Sequence, residues 1–388
     1  MNVLMLVITS VATDTRVVRE AATLAGAGHH VHVIGRGVPA DWTPPPGVTV
    51  SSAGGASVFA RAGAPVGTGR PLPPHLRAAR WALLPRHRAS AFAAWARAAQ
   101  PDAEARDFDV VHAHDFNTLR LAADLADRRG VPLVYDTHEL WSGRPRVGRP
   151  TPVLAAREAR LEAELGGRAA AVVTVGEGVA DALRDRYGWQ HVTVVQNTFP
   201  SGTAAASVPL PERPSGAVYA GRIAPYREIE TIVAAARELP GFGVTLVGPS
   251  DDTYLAALDR GPAEIRAALP VDDVDALLRG TGLALVTHSD RWENHRLAMP
   301  NKLFHAVRAG VPVIATDVQE LARVVRRHGL GTLYRPGDAA SLAAAIREAR
   351  DRYPELAGNV RKAEPLLSWE HDARALLGVY AALPGTSL

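Results

Sequence analysis

The sequence predicts an α/β protein of two doubly wound, Rossmann-like parallel-sheet domains. Three observations predict it. The 388 residues are too many for one ordinary core and suit two. Short runs rich in Val, Ile, Leu and Ala alternate with helical stretches in both halves, the pattern of a parallel sheet buried on both faces. A break rich in Pro, Ser, Ala and Gly over 199–215 separates the halves. The expected domains are 1–200 and 216–365, with a linker at 201–215 and a closing helical segment at 366–388.

Residues 3–8 read as the first buried strand. A polar turn follows, and a helix spans 16–27, capped by Asp14 or Thr15 and stopped at Gly28. Residues 30–35 form the second strand, which completes a βαβ unit. No G-x-G-x-x-G is present, which disfavours a nicotinamide dinucleotide. Asp14, Arg16, Arg19 and Glu20 lie just beyond the first strand's carboxyl end, where open α/β sheets bind ligands. Helix capping and surface ion pairs are the plainer account of the same residues.

Residues 42–100 contain no acid. Prolines 44–46 open an irregular segment, and 74–99 then looks helical, with Arg77, Arg80, Arg86, Arg88 and Arg97 opposite Leu and Trp. Such a stretch can lie on an anionic membrane or pack as a solvated helix on its own domain. Strands at 108–114 and 131–136 end in His112, His114, Asp115 and in His138. Three imidazoles at one sheet edge can hold a metal, but the spacing is not that of a helix-borne HExxH. A polar site for a sugar or a general base fits a strand end better. Residues 169–175 and 192–195 complete the first sheet, with a helix from Gly176 between them.

The second sheet starts at 217–220 and runs into Gly221, Arg222 and Arg227 before a helix from Glu228. A glycine and two arginines ahead of a helix N-terminus make an anion cradle. Strands at 244–248, ending in Gly248, and at 283–286 follow. The loop holding Glu293 and Asn294 can read a base or a sugar. From Pro300 a helix carries Asn301, Lys302 and His305, stops at Gly310, and precedes a buried strand at 311–315. Lys302 is one of only two lysines, the other being Lys362. A cation in a first helical turn opposes the helix dipole unless an anion shares the site. A lysine stem laid over an apolar helix is the alternative. Residues 330–334, a helix at 339–350 and a last helix from 368 to 382 complete the chain.

Composition sets limits. Net charge is +3 and the pI about 9.4, without the basic excess of a nucleic-acid binder. There is no cysteine, hence no disulfide, thiolate site or cysteine nucleophile. The apolar N-terminus is too short for a signal peptide, and no window reaches about 18 uninterrupted apolar residues. The expected location is the cytoplasm, with peripheral membrane contact through 74–99 as the one exception.

Several fragments together resemble the retaining family-4 nucleotide-sugar glycosyltransferases of GT-B fold. They are DTRVVREA at 14–21, DVVHAHD at 109–115, YDTHEL at 135–140, Gly221-Arg222 with Arg227, PNKLF at 300–304 with AGVP at 309–312, and SWE at 368–370. The resemblance covers nearly the whole chain. It implies two facing domains, the first for the acceptor and the second for the nucleotide, with the last helix returning to the first. It implies that Arg222, Arg227 and Lys302 hold the donor diphosphate and that His138 meets the donor sugar. Gly221, Gly248, Glu293, Asn294, Asn301 and His305 fall on the donor side; Asp14, Arg16, His114 and Asp115 fall on the acceptor side. It implies no metal and no cofactor beyond the donor, and a hydroxyl acceptor in natural-product or cell-envelope glycan synthesis. One departure stands out: the family usually has glutamate where His305 stands and often at the place of Leu297. A deoxyribose donor, substitution by Glu293, or a catalytically silent binding subunit each account for it. A nucleotide-sugar epimerase is a further alternative.

Overall fold

A computed structural model describes residues 1–54, 75, 91–144, 152–202 and 204–385. Most of the basic stretch at 74–99 lies outside the described residues. Of it, 91–99 are helical, and Trp95 and Ala99 are buried, so this part packs on its own unit.

The chain forms two compact units. One comprises 1–174, 180–193 and 375–388; the other comprises 175–179 and 194–374. In the first, the strands are β1 (Asn2–Leu6), β2 (His30–Gly35), β3 (Val48–Ser52), β4 (Val110–His114), β5 (Leu133–Thr137), β6 (Ala171–Thr174) and β7 (Val192–Val194). Their order is β3-β2-β1-β4-β5-β6-β7, and the pairs given in register are all parallel. The helices are α1 (Thr15–Gly26), α2 (the helical residues 91–104), α3 (Phe116–Arg129), α4 (Pro152–Gly166) and α5 (Glu177–Tyr187). The central strands β4 and β5 are buried at every position. This is why they read as continuous apolar runs interrupted only by the residues that build a site. The segment expected to be irregular after Trp42 contains β3. Val48 is its one buried side chain, and pairing with β2 holds the rest.

The second unit holds β8 (Gly216–Ala220), α6 (Ile229–Arg237), β9 (Gly243–Val247), α7 (Asp252–Ala257), β10 (Glu264–Arg266), α8 (Val271–Thr281), β11 (Gly282–Val286), α9 (Glu293–Leu297), α10 (Asn301–Arg308), β12 (Val313–Thr316), α11 (Gln319–His328), β13 (Gly331–Tyr334), α12 (Ala339–Asp351) and α13 (Tyr353–Ala363). The strand order is β10-β9-β8-β11-β12-β13. One apolar cluster packs α6 and α12 on one sheet face, and another packs α10 and α11 on the opposite face. The last helix, α14 (Trp369–Ala381), begins in the second unit and ends in the first. Within the second unit, the Trp369 N–H donates to the Phe199 carbonyl at 2.8 Å, and the Thr198 hydroxyl bonds Asp372. Within the first, the Tyr380 hydroxyl meets His112 Nδ1 at 2.8 Å.

Both orders repeat the doubly wound sequence 3-2-1-4-5-6, which reverses between the first and fourth strands. Ligands of such sheets lie beyond the carboxyl ends at that reversal. In the first unit this is the exit of β1 and β4; in the second it is the exit of β8 and β11.

Candidate functional site

In the first unit the site grows from periodicity. Arg16 and Glu20 are four residues apart and share one face of α1. His112 and His114 are two apart and share one face of β4, and Asp136 and His138 follow the same rule along β5 and its exit. The parallel register sets His114 beside Asp136. Asp136 is the hub. Its carboxylate accepts from Arg16 Nε and a terminal Arg16 nitrogen, both at 2.8 Å, and lies 3.1 Å from His114 Nδ1 and from His138 Nε2. Burial opposes its ionisation, but Arg16 and His138 outweigh it and hold the carboxyl well below the usual range.

His138 is flanked on both sides. Nε2 faces Asp136, and Nδ1 lies 3.5 Å from Asp115, whose other oxygen accepts the His138 backbone N–H at 3.1 Å. Burial pulls its pKa down, yet Asp115 and Asp136 together raise it to about 10. At neutral pH it is an imidazolium with both nitrogens turned to carboxylates. It is therefore poorly placed as the general base that a strand-end histidine suggests. Fully buried His114 is pushed the other way, chiefly by burial, and is neutral.

Asp14 caps α1, accepting from the Val17 N–H at 3.3 Å, and also takes the Thr9 hydroxyl at 2.9 Å. Arg16 is 2% exposed and pairs with Asp136 and with Glu20 at 3.0 Å, so it sits behind the site and not at its surface. Asp115 has φ 63°, a strained conformation for a residue other than glycine. Glu20 and His112, which the sequence places at or just beyond strand ends that can bind ligands or a metal, belong to this constellation, and Asp136, which it did not single out, is its centre. The i,i+4 pair Arg16/Glu20 and the His-x-His strand end were the available signals.

In the second unit, Arg227 and Lys302 lie close together near one edge of the sheet, and Arg222 stands at the exit of β8 on the same edge. Arg222 follows β8 and is exposed. Arg227 sits between Tyr226 and Glu228, at φ 65° and 62°, and its carbonyl accepts the Thr287 hydroxyl at 2.8 Å. Among the described residues, the non-glycine residues with positive φ are these two and Asp115, so this strain is confined to the two candidate sites. Lys302 lies in the first turn of α10, with its ammonium 5.0 Å from the Tyr219 ring centre. Burial and Arg227 depress its pKa to about 7. None of the three cations has a carboxylate partner among the described residues.

Gly248, at φ 149°, approaches Gly221 so closely that a Cβ there would stand 2.0 Å from the Gly221 carbonyl oxygen. The two glycines thus seat the exits of β8 and β9 against each other. His288, just beyond β11, is 7% exposed, and its Nδ1 has no hydrogen-bond partner among the described residues. Burial, His295, Lys302 and Arg227 push its pKa down to about 3. It is a neutral acceptor beside the cations, and sequence reasoning missed it.

Glu293 opens α9, and Asn294 beside it is 7% exposed. Asn301 accepts from Asn197 at 3.2 Å. His305 packs on Phe199, ring centres 4.1 Å apart, and its Nδ1 lies 3.5 Å from fully buried Asp275. Asp275, on α8, also lies 3.3 Å from Arg308 Nε, so its buried carboxylate is shared between His305 and Arg308.

Comparison with known proteins agrees with this architecture. Residues 14–200 match the model of Glycosyltransferase Family 4, and 214–351 match Glycosyl transferases group 1. A D-inositol 3-phosphate glycosyltransferase of Nocardioides sp. is 30% identical over 328 residues, covering 74% of this chain and 69% of its own. A glycogen synthase of Mycobacterium tuberculosis is 26% identical over 295 residues, covering 71% and 69%. Among solved structures, sucrose-phosphate synthase from Thermosynechococcus elongatus aligns over 98% of both chains with TM-score 0.69 at 18% identity. Anabaena HepE in complex with UDP-glucose aligns over 99% of this chain and 100% of its own, with TM-score 0.63 at 16% identity. WaaG, a glycosyltransferase of lipopolysaccharide biosynthesis, covers 100% of both chains with TM-score 0.63 at 15% identity. With two doubly wound domains, whole-length likeness to these glycosyltransferases and family models on both halves, the chain belongs to the family-4 glycosyltransferases of GT-B fold.

Proposed function

We propose that the chain transfers a sugar from a nucleoside-diphosphate donor to a hydroxyl acceptor, with retention of anomeric configuration and no metal ion on the diphosphate. The observation that carries this reading is the placement of Arg222, Arg227 and Lys302 at one sheet edge without acidic partners. Departure of a nucleoside diphosphate builds negative charge on its terminal phosphate. Preorganised cations stabilise that charge without a divalent ion. The departing phosphate oxygen takes the proton of the attacking hydroxyl on the same face, so no carboxylate pair at double-displacement spacing is needed. His138, with both nitrogens on carboxylates, serves as a fixed polar wall to the donor sugar and not as a base. Arg16 and fully buried His114 act through Asp136 as positioning residues, and Asp115 faces the acceptor. Gly248, Glu293, Asn294, Asn301 and the His305–Asp275 pair surround the nucleoside and sugar. Solved HepE holds UDP-glucose. Relatives named for D-inositol 3-phosphate and for lipopolysaccharide biosynthesis support a polyol acceptor in cell-envelope or natural-product glycan synthesis.

The test is a thermal-shift panel of UDP, dTDP, GDP and ADP with and without chelator, followed by transfer assays and NMR of the product anomer. A nucleotide at 100 times its dissociation constant should stabilise by about 2.7 kcal/mol. A chelator-insensitive shift for one nucleotide and a retained anomer are expected. An inverted anomer would overturn retention. No shift and no transfer would point to a silent subunit, and donor conversion without acceptor to an epimerase.

A further inference from the structure

Glu20 and His112 have no task in that reaction. With His114 and Asp136 they each offer a ligand atom within 4.8 Å of the others, and all four residues are fully buried. Glu20 Oε2 and the Nε2 atoms of His112 and His114 have no hydrogen-bond partner among the described residues. Unpaired polar atoms at zero exposure are rare in folded proteins and ask for an explanation. Here several of them share one spot.

The atoms on the far side of these groups are occupied. His112 Nδ1 meets the Tyr380 hydroxyl at 2.8 Å. His114 Nδ1 meets Asp136 at 3.1 Å. Glu20 Oε1 pairs with Arg16 at 3.0 Å, while Oε2 faces His112 Nε2 at 3.7 Å. Each potential ligand is thus oriented from behind by a second partner, the arrangement that holds metal-binding histidines and carboxylates. Asp136, engaged by Arg16, His114 and His138, belongs to that outer ring.

We infer that Glu20 Oε2, His112 Nε2 and His114 Nε2 bind one divalent transition-metal ion of the zinc class, behind His138 and apart from the donor diphosphate. Two imidazole nitrogens and one carboxylate suit zinc better than magnesium or calcium, which favour all-oxygen shells. Ligand distances of about 2.0–2.2 Å require the donors to draw inward. The two imidazoles now stack at 4.4 Å and 16°, so they must tilt toward each other as they do so. The ion is a structural brace: it fixes His114, and through it Asp136 and His138. The cations that face the diphosphate are unaffected.

The experiment uses the full chain. Metal content is measured on the protein as isolated. A sample stripped with chelator and dialysed is then titrated with Co²⁺, read by visible absorption, and with Zn²⁺, read by thermal melting. About one equivalent per chain is expected, with the intense d–d bands of a four- or five-coordinate site and a melting temperature that rises on Zn²⁺ addition. Glu20→Gln should abolish both responses while melting cooperatively without metal. Tyr380→Phe should weaken Co²⁺ binding about tenfold, the usual effect of losing an outer partner. Less than about 0.1 equivalent as isolated, together with weak six-coordinate Co²⁺ bands and no Zn²⁺ effect, overturns the inference and leaves Glu20 holding a proton and water. Wild-type responses in Glu20→Gln overturn it too. The nucleotide shift of each sample is recorded in parallel, so failure of the metal site and failure of the donor reading are read separately.

Discussion

Lys302 carries a cost in the free protein that a bound anion removes. Its pKa falls from an ordinary 10.5 to about 7 through burial and Arg227. Between those values the unfolded chain holds a proton that the folded chain does not, so stability rises with pH across that window. A diphosphate restores the proton. Binding at pH 8 should therefore take up protons, and affinity should fall as pH rises through about 7. Calorimetry in buffers of different ionisation enthalpy measures the uptake, and heats that do not depend on buffer would contradict it. Lys302→Met should weaken nucleotide binding and, at pH 7, raise the melting temperature by roughly 2–4 °C if relief of the buried charge is worth about 1 kcal/mol. His138 behaves oppositely. Its pKa of about 10 exceeds the ordinary 6.5, so its stabilisation is complete below pH 6.5 and is lost as pH rises through about 10. Asp136→Asn leaves the buried Arg16 and His138 without their carboxylate. It should cost about 3–5 kcal/mol at pH 7, and it should flatten the pH dependence between 6.5 and 10 in urea unfolding.

At the scale of elements, the two sites depend on how strand exits are seated. Gly248 touches the backbone of Gly221, and no side chain fits between them. Gly248→Ala must push apart the exits of β8 and β9 and with them Arg222. Donor KM should rise at least about tenfold, as expected when binding groups shift by about 1 Å, while the fold survives because the change lies in a turn. An unchanged KM would show that the exits move freely. The same elements explain what was legible. Central strands such as β4, β5 and β11 are buried throughout and so announce themselves as apolar runs. β10 is a three-residue edge strand with both end residues exposed, and it carries no such pattern. α13 follows α12 after Arg352 alone, so only Pro354 in its first turn marks the break. Lys302 stood out because lysine is rare here and unfavourable in a first turn. Asp275 could not be found that way: it reaches His305 from another helix, 30 residues earlier in the chain. His288 carried no signal of its own in the sequence, and its burial beside Lys302 and Arg227 is a fact of packing.

For the whole molecule, the division into two units gives a thermodynamic expectation. Each unit has its own sheet and buried core, yet residues 375–388 belong with the first unit although they follow the second in sequence. Leu376 and Tyr380 are at most 1% exposed there, and the Tyr380 hydroxyl is the partner of His112. Removing 375–388 takes these side chains out of the first unit and leaves His112 Nδ1 buried without its bond. The second unit keeps its sheet and all three cations. Calorimetry of the intact chain should therefore resolve two transitions, since domains with separate cores need not unfold together. A nucleotide should raise only the transition of the second unit, by the linkage that Arg222, Arg227 and Lys302 provide. The truncated chain should lose several degrees in the other transition, since burial of one large apolar side chain contributes about 1.5–3 kcal/mol. Its nucleotide-dependent shift should remain. Loss of both transitions at once would mean that α14 is a common nucleus for the two sheets, and the first unit would then have no stability of its own to lose.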